Sequence, residues 1–232
     1  MSFRLGCNTV LFAMVGLEEA LQHLAWAGYD GAELSYIPGM VEHVQPDQPE
    51  AYYAEIKQRA SDLGLGLYAI ECTPNAPERV ENACRIAAQL GIPVVAIGSG
   101  GKTGDEDSFR QAVDLGRTLA AIAGKHGVTL ALKPHVGAAV YSTETALRAW
   151  KEIDSRSLGL NFDPSHLVRA GEDVAQAARE FTKAKAVVHS HFRDCLTTEI
   201  GGRPGPPEEQ VPGRGRVDVP AVLRALREGG YT

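Results

Sequence analysis

The chain has 232 residues, 44% of them hydrophobic, with a formal net charge of -6 and a pI near 5.7. That length and apolar fraction suit one domain, residues 1–232, with a large core, and the acidic balance without any Lys/Arg run argues against a nucleic-acid partner. No stretch reaches the length of a membrane span, and the scattered Cys7, Cys72, Cys84 and Cys195, with no C-x-x-C, form neither a disulfide frame nor a zinc knuckle and fit a reducing cytoplasm.

A strand is expected at about 3–8; the apolar run Leu5 to Val15 is broken by Gly6, Asn8 and Thr9 and reads as strand and loop, not as a signal peptide. Leu17, Ala20, Leu21, Leu24 and Ala25 recur at helical spacing and predict a helix over 17–27, ended by Gly28. The second strand, 30–35, carries Glu33 among small and apolar residues. A buried carboxylate there needs a partner or a task, and alternation leaves open whether it faces inward or outward. Residues 36–49 hold three prolines and His43 and read as a long loop before a helix at 50–63. The third strand, 67–72, finishes on Glu71, and Pro77 opens a helix that runs to Gly91.

The fourth strand, 93–98, is almost wholly apolar, as a strand covered on both faces should be. Its Gly98-Ser-Gly-Gly101 ending matches neither a Walker loop nor G-x-G-x-x-G and reads as a plain loop. A long helix over 105–125 precedes the fifth strand, 128–133, which ends in Lys133-Pro-His135. A helix at 143–153 leads to the sixth strand, 158–163, where Asp163-Pro-Ser-His166 sets a carboxylate and an imidazole near one strand end. For such a pair alone, a turn or helix cap at Asp163 and a surface position for His166 is the plain alternative. A helix at 172–183 and a seventh strand at 186–191 follow, the strand closing on His189-Ser-His191-Phe-Arg193-Asp194. The last helix spans 218–228.

Strand and helix thus alternate seven times at roughly thirty-residue spacing, which predicts an α/β fold with a parallel sheet. Polar cargo sits at the ends of strands two, three, five, six and seven. A (β/α)8 barrel gathers all such ends at one mouth, whereas an open sheet uses a single switch point. Gly229-Gly-Tyr-Thr232 echoes Ala27-Gly-Tyr-Asp30 before strand two, so an eighth strand is expected either beyond the sequence or missing from it.

The motifs Gly28-Tyr-Asp-Gly-Ala-Glu-Leu34, Gly127-Val-Thr-Leu-Ala-Leu132, Asp163-x-x-His166, His189-x-His191-x-x-Asp194 and Pro212-Gly-Arg-Gly-Arg-Val-Asp218 resemble, in order and spacing, the xylose isomerase-like barrel superfamily of sugar isomerases, epimerases and related lyases. The resemblance implies one divalent ion (Mn, Mg, Zn or Co) at the mouth, held by a Glu ending strand five, an Asp ending strand six, a His ending strand seven and a Glu on strand eight. Asp163 and His191 match two of these, and His166 matches a substrate-side or second-metal histidine. The resemblance also implies that the ion polarises sugar oxygens while a proton moves through an enediolate. His189 is expected beneath His191 on the same strand face, and Asp194 is expected to fix the His191 ring.

Lys133 stands where the family has its strand-five Glu. An ammonium about 4 Å from a dication is opposed by roughly 8 kcal/mol at an effective dielectric of 20. Three resolutions are open: His135 replaces the Glu as a ligand, the ammonium itself replaces the ion and pairs with Asp163, or the mouth only binds a ligand. A lowered Lys133 pKa, giving a base or a Schiff base, is a further possibility.

The expectation is a cytoplasmic isomerase or epimerase that moves a proton next to a carbonyl on a sugar or sugar-derived compound. A dehydratase or other lyase is the nearest alternative, and a non-catalytic carbohydrate-binding barrel the alternative from another class. The expected catalytic residues are Lys133, His135 and His166; the expected substrate contacts are Glu33, Glu71, His189 and Arg193; the expected metal ligands are Asp163, His191 and His135. No membrane or nucleic-acid partner is expected, and a homo-oligomer is compatible. The Gly- and Pro-rich loop 196–216, with Arg203, Arg214 and Arg216, is expected to cover the mouth.

Overall fold

The computed structural model describes residues 3–197 and 199–231. In chain order its elements are β1 Gly6–Asn8, α1 Leu17–Trp26, β2 Gly31–Ile37, β3 Val41–Glu42, α2 Glu50–Asp62, β4 Gly66–Cys72, α3 Pro77–Leu90, β5 Val94–Gly98, α4 Glu106–Lys125, β6 Thr129–Lys133, α5 Thr143–Ile153, β7 Leu158–Phe162, α6 Pro164–Arg169, α7 Val174–Lys183, β8 Val187–Ser190 and α8 Val219–Glu228. Apart from the short β3, each strand is separated from the next by helix and the sheet order follows the chain. This is the α/β succession expected of the (β/α)8 class. No described helix is long and apolar enough to cross a membrane.

Two compact units make up the chain, one formed by residues up to Ile97 together with Leu119–Leu130, the other by Gly98–Thr118 and the residues from Ala131 onward. In the first, β1, β2, β4 and β5 pair in parallel in that order. All seven residues of β2 are buried, which accounts for its small and apolar composition. The β2–β4 register slips after Ala32, so that Glu33 pairs with Ala69 and Tyr68 is the extra residue. The Tyr68 ring lies across Gly6, Gly31 and Gly66 at the strand beginnings, and its hydroxyl donates to the Asp30 carbonyl at 2.9 Å.

A Cβ on Gly31 would run into the Gly66 carbonyl and the Tyr68 ring. Backbone lies on one side and a packed aromatic on the other, so Gly31→Ala is expected to destabilise the fold by about 2 kcal/mol or more in urea denaturation.

Residues 36–49 are less irregular than the prolines suggest. Val41–Glu42 turns back as β3, antiparallel to the end of β2. Arg79 of α3 fastens this hairpin, lying 3.7 Å over the Tyr36 ring and donating to the Tyr36 carbonyl at 2.9 Å and to Glu42 at 2.5 Å.

β6 begins in the first unit, where Thr129 N–H donates to the Pro93 carbonyl at 2.9 Å, and ends in the second. Within the second unit β7 and β8 pair in parallel, with Asn161 opposite His189 and a register slip that leaves Val188 as the extra residue. Asp173 caps α7 by accepting from Ala175 and Gln176 N–H, and Asp218 caps α8 by accepting from Ala221 N–H. Phe162 of β7 meets Phe181 of α7 edge-on, with ring centroids 5.8 Å apart and both side chains fully buried.

α6 is an element the sequence reading did not contain. Asp163 is its N-cap, accepting from Ser165 N–H, and Pro164 occupies the first turn, where its missing N–H is harmless. A proline that ends strand pairing therefore also opens a helix of six residues.

Candidate functional site

In the first unit two carboxylates share one amide. Asn8, the last residue of β1, donates through Nδ2 to Glu33 at 3.0 Å and to Glu71 at 2.7 Å, while its Oδ1 accepts from Val10 N–H at 2.8 Å. Parallel pairing sets Asn8 beside Glu33 and Ser35 beside Glu71, so the three polar side chains project from one sheet face. Glu33 is only 5% exposed. Asn8 was missed in the sequence, although the signal used elsewhere, a polar residue at the carboxyl end of a strand, applies to it.

In the second unit the ends of β6, β7 and β8 build a denser cluster. Asp163 is 1% exposed; one carboxylate oxygen accepts from Ser165 N–H at 3.0 Å and Ser165 Oγ at 2.7 Å, and the other lies 3.7 Å from both His166 Nε2 and Arg193 Nε. Burial alone would raise the Asp163 carboxyl, but His166, Arg193 and Lys133 outweigh it and hold the group well below the usual carboxylate range. Arg193 is clamped at the same time, donating to Ser165 Oγ at 2.8 Å, to Gln210 at 3.2 Å and to His166 Nε2 at 2.8 Å.

His166 is buried, not a surface residue, and each of its ring nitrogens faces N–H donors. Nε2 takes the Arg193 bond, and Nδ1 lies 3.4 Å from both Val136 N and Arg169 Nη1. The neutral ring already carries one N–H against a donor, and a second ring proton would put both nitrogens in that position. Burial, followed by His135, Arg193 and Lys133 acting against Asp163, lowers the His166 pKa from 6.5 to about 3. Unfolded, the ring takes a proton near 6.5; folded, it refuses one until far lower pH. Its contribution is therefore complete above pH 6.5 and is lost as pH falls, by about 2 kcal/mol at pH 5. The lowered His135 acts in the same sense, whereas Asp163 loses its contribution only below its own unfolded pKa of 3.8. Urea midpoints at pH 7 and pH 5 should show this slope, and His166→Gln should flatten most of it.

His135 stacks on His166 with centroids 3.9 Å apart and lies 2.7 Å through Nδ1 from the Val136 carbonyl. A carbonyl only accepts, so Nδ1 carries the proton and Nε2 keeps a lone pair. Burial first, then Lys133, lowers its pKa below 6.5, and the residue is a neutral base at neutral pH. Lys133 Nζ approaches His191 Nδ1 at 3.3 Å. His189 of β8 and His191 just past its end meet edge-on with centroids 5.2 Å apart. The β7 residue Asn161 is fully buried and takes the His191 N–H on Oδ1 at 3.0 Å.

Asp194 does not orient the His191 ring. It is fully buried and accepts four backbone N–H groups, those of Cys195, Gly213, Gly215 and Val217, at 2.8 to 3.0 Å. Burial pulls its pKa up, but the four amides prevail and keep it below the ordinary value. The loop after β8 is gathered on this carboxylate, and Arg169 ties its other part by donating to the Gly202 carbonyl at 2.6 Å. Ser165, Arg169 and Gln210 join the expected residues here; nothing in their local sequence marks them.

Of the expected ligand set, Asp163 already faces Arg193 and His166 and His191 Nδ1 faces Lys133, whereas the Nδ1 bond of His135 to a carbonyl leaves its Nε2 open. Of the second unit's histidines, His189 and His191 bring nitrogen donors within 4.8 Å of one another, a pairing compatible with a borderline ion such as Zn.

Against known proteins, the chain is 21% identical over 245 residues to an inosose dehydratase of Clostridium perfringens, an alignment covering 92% of this chain and 79% of that protein. It is 23% identical to the inosose dehydratase of Lacticaseibacillus casei over 94% of this chain and 80% of that protein. Among solved structures, the probable 3-DHS dehydratase AsbF of Bacillus anthracis superposes with a TM-score of 0.80 at 16% identity, over 99% of this chain and 90% of that one. The zinc-bound IOLI protein gives 0.79 at 21% over 98% and 86%, and a D-psicose 3-epimerase 0.79 at 16% over 99% and 82%. The model of the xylose isomerase-like TIM barrel matches residues 21–232, and the chain belongs to that family.

Proposed function

We propose that the chain is an enzyme that removes a proton from the carbon next to a carbonyl on a small sugar-derived keto compound and then expels water from the neighbouring carbon. The observation that carries this reading is the juxtaposition of a neutral imidazole with a bare Nε2, His135, and an ammonium, Lys133, at the end of one strand. Carboxyl ends of strands are where barrels of this class build their active sites. His135 takes the carbon-bound proton, and Lys133 donates a hydrogen bond to the carbonyl oxygen as negative charge grows on it. His166, kept neutral and wedged between Arg193 and Arg169, holds the His135 ring by stacking.

Substrate hydroxyls are assigned to His189 and Arg193 of the second unit. The reading includes a divalent cation held by the His189 and His191 nitrogens; bound there, it would polarise substrate oxygens. Elimination of water is preferred over isomerisation because the curated relatives are named inosose dehydratases. Epimerisation, with the proton returned to the opposite face, is the second reading and is favoured by the likeness to a sugar epimerase.

The test is a panel of cyclic and open-chain keto sugars followed by NMR and ultraviolet absorbance. Loss of water with a new conjugated carbonyl absorbance supports the dehydratase, a new stereoisomer supports the epimerase, and no change in any compound at high enzyme concentration counts against both.

A further inference from the structure

We propose that the Lys133 ammonium, held at His191, is the resident cation in the place where the family keeps a metal ion. Three side chains of the second unit, Lys133, Asp163 and Arg193, bear on this position. Lys133 Nζ is 3.3 Å from His191 Nδ1 and donates to it, which occupies the lone pair of that nitrogen. One Asp163 oxygen is already engaged by Ser165 N–H and Oγ at 3.0 and 2.7 Å. Its other oxygen faces Arg193 Nε and His166 Nε2, both at 3.7 Å. Arg193 is in turn fixed by Ser165, Gln210 and His166 and cannot step aside without breaking those bonds.

A dication brought to Asp163 would thus meet a guanidinium that is already bound in place. The substitution also changes the kind of polarisation on offer. An ammonium supplies one positive charge and three directional N–H donors, one already given to His191, where a divalent ion supplies two charges. The occupancy of the position stands on contacts alone; this consequence for substrate rests on the proposed function.

Cobalt(II) titration of the whole chain, read by its visible absorption and by calorimetry, tests the proposal. Four proteins are compared: the unchanged chain, Asp163→Asn, Lys133→Glu, and Lys133→Glu combined with Asp163→Asn. Lys133→Glu should bind cobalt on the order of 100-fold more tightly than the unchanged chain, since a repelling charge becomes a ligand. Adding Asp163→Asn should cancel that gain, while Asp163→Asn alone should leave any binding by the unchanged chain unaltered, as expected of an ion on His189 and His191. If Lys133→Glu proves misfolded by circular dichroism, Lys133→Met removes only the charge and should gain roughly tenfold.

Cobalt bound by the unchanged chain as tightly as by the lysine variants, and lost on Asp163→Asn, would overturn the proposal while leaving proton transfer by His135 untouched. The expected binding pattern, together with no reaction on any keto sugar, would overturn only the proposed function.

Discussion

Asp194→Ala is expected to destabilise the protein by about 3 to 5 kcal/mol, enough to unfold much of the population. The carboxylate is fully buried and accepts four backbone N–H groups drawn from residues 195, 213, 215 and 217. Truncation leaves four donors without their acceptor, those of Cys195 and Val217 in buried bonds and those of Gly213 and Gly215 in part-buried ones, and each unsatisfied buried donor costs about 1 kcal/mol or more. Asp194→Asn should do nearly as badly, because half of the amide presents hydrogens to hydrogens. Gly215 has the complementary constraint: a Cβ there would collide with the Asp194 carboxylate and the Cys195 carbonyl. Urea denaturation gives the comparison, and a loss below about 1 kcal/mol for Asp194→Ala would show that the loop is held by something else.

His135→Gln is expected to lower turnover by 100-fold to 1000-fold with little change in KM, the usual contribution of a positioned base. Glutamine keeps a donor for the Val136 carbonyl and a similar volume but has no basic nitrogen. The pH profile gives a second reading. His135 is active only when neutral, and its pKa is lowered by burial and by Lys133. Activity should therefore persist to lower pH than an ordinary histidine allows and fall as pH drops through a value below 6.5. An unchanged rate in His135→Gln would remove this residue from the chemistry.

Much of the fold was legible because it rests on short-range signals. Apolar runs of strand length alternate with helical periodicity, Pro77 opens α3, and Gly91 closes it with φ of 72°. The strand-end positions of Lys133, Asp163 and His191 followed from the same alternation. What stayed hidden depends on contacts between residues far apart. Lys133 and His191 are 58 positions apart, and no local pattern shows that their side chains meet. Asp194 looked like a partner for the nearby His191, yet its true partners include amides about twenty positions further on. Helix α6 was lost for another reason: six residues are too few to show a period, and its start signal, Asp163-Pro164, was read only as a strand stop. At Glu33 alternation could not choose a face, because β2 is buried on both sides.

The most direct test of the central claim is proton exchange with solvent. A keto sugar that the protein consumes is incubated with it in deuterium oxide, and the recovered substrate and product are examined by NMR. Deuterium at the carbon next to the carbonyl, lost when His135 is replaced by glutamine, is the expected result. Product formed with no solvent deuterium at that carbon, at the same rate in the His135→Gln variant, would contradict it.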